Sequence, residues 1–141
     1  MIQYIAENIE IPNFDKQIIN RWITDTAADY KKKIGKVTYI FCNDERILEV
    51  NKLYLNHDYY TDIITFDYSD GRIISGDIFI SIDTIKSNAE EYNESLDSEL
   101  QRIMIHGILH LCGQDDKTPE LRKEMTEKEN RAIHNLNLYS L

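Results

Sequence analysis

Apolar positions along the chain fall into two periods, and their alternation lays out the elements. Residues 2–5 form a short run that predicts a strand. Phe14, Ile18, Ile19, Trp22, Ile23 and Ala27 then recur at the three- and four-residue spacing of one helical face. Asn13 stands as the N-cap, and this helix is predicted to run to about Lys32. Gly35 closes a turn. Residues 37–42 (VTYIFC) are β-branched and aromatic, so they predict a strand. Asn43 or Asp44 caps the next helix, with Ile47, Leu48, Asn51 and Tyr54 at helical spacing. Residues 61–68 alternate and predict a strand, residues 69–72 (SDGR) a turn, and residues 73–82 a second strand. Residues 85–92 read as a polar helix. A helix over residues 97–112 stops at Gly113. Thr118 caps the last helix, with Pro119 at its first position and Leu121, Met125, Ala132 and Leu136 on one face. The order β-α-β-α-β-β-α-α-α predicts an α+β fold, a small mixed sheet packed by helices. No repeat or linker divides the chain, so one domain over residues 1–141 is expected.

Composition agrees with a globular chain: 42% of residues are apolar and 29% charged. A chain of 141 residues can bury enough surface to fold without a disulfide or structural metal, so a metal here would be functional. Cys42 and Cys112 sit in apolar runs and read as small buried hydrophobes in a reducing compartment. The N-terminus lacks a signal-peptide pattern, and no apolar stretch is long enough to span a membrane. A cytoplasmic protein without membrane contact is expected. The formal charge of −9 argues against coating nucleic acid by bulk charge. That sum hides an uneven distribution. Lys31, Lys32, Lys33 and Lys36 have no acid among them, and they read first as a solvated helix end beside a turn.

The chemistry concentrates on residues 106–116, HGILHLCGQDD. The predicted helix is apolar nearly all round, which marks it as central and buried. His106 and His110, two of the chain's four histidines, lie four residues apart and project from one face. Buried imidazoles need partners, and two aimed at one point suit one cation. The reversal at Gly113 can bring Asp115 or Asp116 back as a third ligand. Three ligands and an open position are the arrangement of a catalytic zinc site. The other reading is a pair of core histidines bonded to backbone or acids. Gly107 stands where the protease motif H-E-x-x-H places its glutamate base, so peptide hydrolysis is disfavoured.

The same stretch resembles the signature H-G-x-L-H-L-x-G-x-D-H of the YbeY family, endoribonucleases that mature ribosomal RNA and hold zinc on three histidines. A second block matches too. The family's Asn-x-x-Tyr-Arg segment corresponds to Asn51, Tyr54 and Leu55. Its Thr-(Asp/Asn)-Val-Leu-Ser-Phe strand corresponds to residues 61–66 (TDIITF), and its Gly-Asp-Ile to Gly76, Asp77 and Ile78. The likeness runs from about residue 47 to 131. It implies a zincin-like domain with one Zn²⁺ per chain on His106, His110 and Asp116. It implies a single-strand-specific, metal-dependent endoribonuclease acting in rRNA maturation and small ribosomal subunit assembly. The implied partners are ribosomal RNA, the precursor small subunit and a ribosomal protein.

Two departures bear on activity. Asp116 replaces a histidine, an acceptable ligand that adds negative charge and shifts preference toward harder ions such as Mn²⁺. Leu55 replaces an arginine that could clamp phosphate. His57, two residues on, is the candidate substrate contact in its place; the plainer reading is a surface loop histidine. Substrate charge would then fall to the metal and to the lysines at 31–36. Leu55 and the net charge favour the alternative, an assembly factor that acts by binding and cleaves little. Of the remaining residues, Trp22 and Cys112 read as core and His134 as surface. Asp62 and Asp77 read as backbone partners with a possible supporting role at the site. Tyr59 and Tyr60 are open to base stacking.

Overall fold

The computed structural model describes residues 1–56 and 61–139. Its elements are β1 (Ile2–Ala6), α1 (Lys16–Asp29), β2 (Lys33–Cys42), α2 (Asp44–Leu55), β3 (Ile63–Asp67), β4 (Ile73–Ser81), α3 (Ile82–Glu91), α4 (Leu96–Leu111) and α5 (Pro119–Leu138). The sheet order is β1-β2-β4-β3. β1, β2 and β4 run parallel, and β3 pairs antiparallel with β4 through a tight hairpin, so the sheet is mixed and β3 forms one edge.

Period-2 alternation divides the strands between two apolar layers. Val37, Tyr39 and Phe41 of β2 and Ile74, Ile78 and Ile80 of β4 join α1, α3, α4 and α5 in the larger core. Cys42, Ile64, Phe66 and Phe79 meet Ile47 and Val50 of α2 on the opposite face. Buried polar groups in the larger core are paired. The Trp22 indole N–H donates to the Ala132 carbonyl at 2.7 Å, and the Tyr39 hydroxyl donates to the Met104 carbonyl at 2.8 Å.

Several boundaries differ from the sequence expectation, each for a local reason. Asp15, not Asn13, caps α1: its carboxylate accepts from the Ile18 N–H. α1 ends at Asp29, and Lys31 takes the left-handed conformation that turns the chain. β2 therefore begins at Lys33, and Gly35 lies inside it, at an irregularity between Ile34 and Val37, rather than in a turn. α3 starts at Ile82 directly off β4, because the Ser81 hydroxyl caps it. Among the described residues no helix is long and apolar enough to cross a membrane.

α4 packs across β3 and β4, and Gly107 lets it do so. A Cβ there would meet Ile78 side-chain carbons at 3.0 and 3.1 Å and Ile63 Cδ1 at 3.3 Å. The position next to His106 thus faces the sheet, where a charged side chain would lack both space and a hydrogen-bond partner.

Candidate metal centre and its cleft

α4 carries the two histidines. Ser95 caps it by accepting from the Ser98 N–H at 3.0 Å, and Asp97 and Glu99 suit the positive end of its dipole. His106 and His110 sit one turn apart with ring centroids 4.5 Å apart at 83°.

The helix then ends in a way that returns the chain to them. The Gly113 N–H donates to the His110 carbonyl at 2.9 Å, and the Gln114 N–H donates to the Leu109 carbonyl at 3.0 Å. This is the paired Schellman pattern, and it needs the positive φ of 102° that Gly113 adopts. Asp115 accepts from the N–H groups of Asp116 and Lys117 at 2.7 and 3.2 Å, which commits its carboxylate to the turn. The Gln114 side chain donates to the Asp115 carbonyl at 2.9 Å and accepts from Lys128 Nζ at 2.6 Å, tying the turn to α5. Asp116 is the carboxylate that reaches the histidines. Its Oδ2 lies 3.4 Å from Nε2 of both His106 and His110.

The donor set fits a metal ion. One ligand atom from each of His106, His110 and Asp116 falls within 4.8 Å of the others. Tetrahedral bonds of about 2.0–2.1 Å place neighbouring donors roughly 3.3 Å apart, close to the observed separations. The side chains are 18%, 27% and 34% exposed, so the group is walled on one side and open on the other.

The orientation of His106 is set from α5. Its Nδ1 donates to Glu129 Oε2 at 2.6 Å, which turns Nε2 toward Asp116, where a cation between the two could take its lone pair. Arg102 donates to Glu129 Oε1 at 2.9 Å and to Asn130 Oδ1 at 2.8 Å. Burial lowers the His106 pKa, but the Glu129 bond and the charges of Glu129, Asp116 and Asp62 outweigh it and raise the net value. Burial pushes the Asp62 carboxyl up, opposed by His106 and backbone N–H groups. Glu99 is also raised, first by burial and then by Glu94, Asp62 and Glu129, with Arg102 opposing. A cation at the centre would relieve this crowding of carboxylates.

Glu129 escaped the sequence reading, although its signal was present. It falls between Met125 and Ala132 on the apolar face of α5 and is buried with them. A buried acid on an apolar stripe asks for a partner, and His106 is that partner.

A cleft of about 540 Å³ opens at the metal group, bounded by Asp62, Ile63, Asn88, Tyr92 and Arg102. A second hollow of about 330 Å³ is lined by Ile63, Thr65, Asp67 and His110. Ile63 and His110 border both, so the two form a trough along edge strand β3.

The other singled-out residues are dispersed. Asp62 stands in the cleft wall, whereas Asp77 lies within β4, paired with Thr38 and Phe66. Leu55 ends α2 and is 41% exposed, while Tyr54 packs edge-on against Phe66. His134 is exposed, Trp22 is fully buried, and Cys112 is half-buried against the core with its thiol pushed up to about 11 by burial. Lys31, Lys32, Lys33 and Lys36 do not line the metal cleft; the described cation there is Arg102. His57, Tyr59 and Tyr60 lie outside the described residues.

The family model described as Endoribonuclease YbeY matches residues 1–137. Endoribonuclease YbeY of Parabacteroides distasonis is 56% identical over 132 residues, covering 94% of this chain and 93% of that protein. Its counterpart in Phocaeicola vulgatus is 54% identical over 133 residues, covering 94% and 96%. Among solved structures, the solution structure of TM1509 from Thermotoga maritima aligns with a TM-score of 0.67 at 25% identity, over 96% of this chain and 89% of that one.

Proposed function

Because the chain belongs to the Endoribonuclease YbeY family, we propose that it is a metal-dependent, single-strand-specific endoribonuclease of rRNA maturation and small ribosomal subunit assembly. On this reading the whole chain, residues 1–141, is one zincin-like catalytic domain working in the cytoplasm. The observation that carries the proposal is Asp116 Oδ2, 3.4 Å from Nε2 of both histidines at the position of the family's third histidine. His106, His110 and Asp116 would hold one Zn²⁺ per chain. Bound there, the ion supplies Lewis acidity toward the negative charge that develops on a phosphodiester. The protein's own part is positional. Glu129 fixes the tautomer and ring angle of His106, Arg102 steadies Glu129, and the Gly113 turn presents Asp116. Ribosomal RNA, the precursor small subunit and a ribosomal protein are the proposed partners.

The test pairs elemental analysis of untagged protein with cleavage of a single-stranded RNA, in the parent and in Asp116→Ala. About one zinc per chain and cleavage that both fall in the variant are expected. A parent that holds no metal after reconstitution and cuts no RNA would overturn the proposal.

One observation favours a second reading. Leu55 brings an apolar, half-exposed side chain to the end of α2 where the family signature has arginine. A chain lacking that guanidinium could serve assembly by binding alone. Metal binding and RNA binding without cleavage, with cleavage appearing in Leu55→Arg, would select it.

A further inference from the structure

The basic cluster that the metal cleft leaves unused has a definite place. Lys31 and Lys32 follow α1, Lys33 opens β2, and Arg72 sits in the β3–β4 turn. The Lys33 N–H donates to the Arg72 carbonyl at 2.8 Å, and Lys32 Nζ donates to the Gly71 carbonyl at 3.3 Å, so the α1–β2 connection is tied to the hairpin turn. Lys31, Lys33 and Arg72 are exposed. Among the described residues none of these four cations is in an ion pair.

This turn lies where the trough ends. The trough follows β3 from Ile63 past His110 to Thr65 and Asp67, the last residue of the strand, and the next residues form the turn. A five-residue strand is roughly 14 Å long, so the cluster stands a few nucleotides from the metal group along an extended chain.

Charge indicates what would lie there. Asp62, Glu99, Asp116 and Glu129 crowd the metal end, and the whole chain carries −9. A polyanion meets one bound cation at the centre and Arg102, whose charge Glu129 already pairs, against four carboxylates. Affinity for a phosphate backbone must come from cations outside the cleft. Asp67 and Asp70 temper the cluster, yet Lys31, Lys32 and Lys33 from the α1–β2 connection and Arg72 from the hairpin gather four cations at the strand's end.

We propose that single-stranded RNA lies along edge strand β3, its cleaved phosphate at the metal group and its flanking phosphates on Lys31, Lys32, Lys33 and Arg72. The proposal rests on the endoribonuclease reading and gives that site a substrate path with a direction.

The test measures binding of a fluorescein-labelled, twelve-nucleotide 2′-O-methyl RNA to the zinc-loaded full chain, by anisotropy across a salt series. The variant Lys31→Glu/Lys33→Glu/Arg72→Glu is compared with Lys16→Glu/Arg21→Glu/Lys86→Glu, which changes net charge equally elsewhere. Each phosphate contact on a single strand contributes about 0.7 to the slope of log affinity against log salt. The cluster variant should bind at least about tenfold more weakly near 0.1 M salt, with a slope shallower by about 2, while the control keeps the parent's slope. The milder Lys31→Gln/Lys33→Gln/Arg72→Gln variant should show the same pattern at smaller size, and serves if charge reversal unsettles the fold. Cluster and control variants that behave alike, in a parent that binds, would overturn the path and leave the endoribonuclease reading standing. A parent that binds no RNA would overturn both.

Discussion

Glu129 and Gly113 each hold a donor of the metal group in place, the first by charge and the second by conformation. Glu129 is an anion buried on an apolar helix face, stabilised by Arg102 on one oxygen and the His106 N–H on the other. Glu129→Gln keeps an acceptor but removes the charge; Glu129→Ala removes both. Zinc affinity, read by competition with a chromogenic chelator, should fall about 10–100-fold in the alanine variant and less in the glutamine variant. Equal affinities in all three proteins would show that His106 needs no such partner. The cysteines make a second residue-scale case. Burial pushes the Cys42 thiol up to about 12 and the Cys112 thiol up to about 11. A raised thiol pKa means that the reactive thiolate is scarce at pH 8 and grows only as pH rises toward those values. Iodoacetamide at pH 8 should leave the native chain unmodified and alkylate both cysteines in denaturant, as mass spectrometry would read. At this scale the sequence was informative where chemistry follows chain spacing. His106 and His110 are paired by spacing alone, because four residues make about one helical turn. Glu129 could not be joined to His106, since nothing local relates a residue on α5 to one on α4.

At the scale of elements, the end of α4 is the part that matters most. The Schellman pattern at Gly113 satisfies the last carbonyls of the helix and aims Asp116 at the histidines in the same motion. Gly113→Ala must hold a Cβ at a φ of 102°, although no neighbouring atom opposes it sterically. Its loss of stability in urea unfolding should therefore be modest, about 1 kcal/mol or more from backbone strain alone. Metal affinity should fall further than stability, because the turn sets the third donor. A variant that unfolds more easily but binds metal as tightly as the parent would separate the turn from the site. The element boundaries that moved were those decided by competition between caps. Asn13 and Asp15 are both acceptable N-caps, and it is the Asp15 carboxylate that accepts the first-turn N–H of Ile18. Gly35 read as a turn because glycine commonly marks one, whereas pairing of β2 with β4 absorbed it as a strand irregularity.

For the whole molecule, the balance between core and metal site predicts how it answers to chelation. The larger core runs through α1, α3, α4, α5 and the sheet without any metal donor in it. On the metal-dependent reading, chelation takes away a ligand that binds only the folded state, so stability should fall by linkage. The cooperative transition itself should survive. Thermal unfolding with and without EDTA should give one transition in each case, with the midpoint lower in the chelated sample. Loss of the transition on chelation would mean that the metal is structural. The sequence by itself determined the fold class, the nature and order of the elements, the shared face of His106 and His110, and the turn that could return a carboxylate to them. Each of these follows from periodicity or spacing within one stretch of chain, where local geometry is nearly fixed by residue type. Tertiary structure decided the rest: which carboxylate of the turn stands beside both histidines, the support of His106 from α5, the trough along β3, and the convergence of the lysines on the hairpin turn. Those depend on which surfaces pack together. Packing joins residues whose separation along the chain carries no record of their contact.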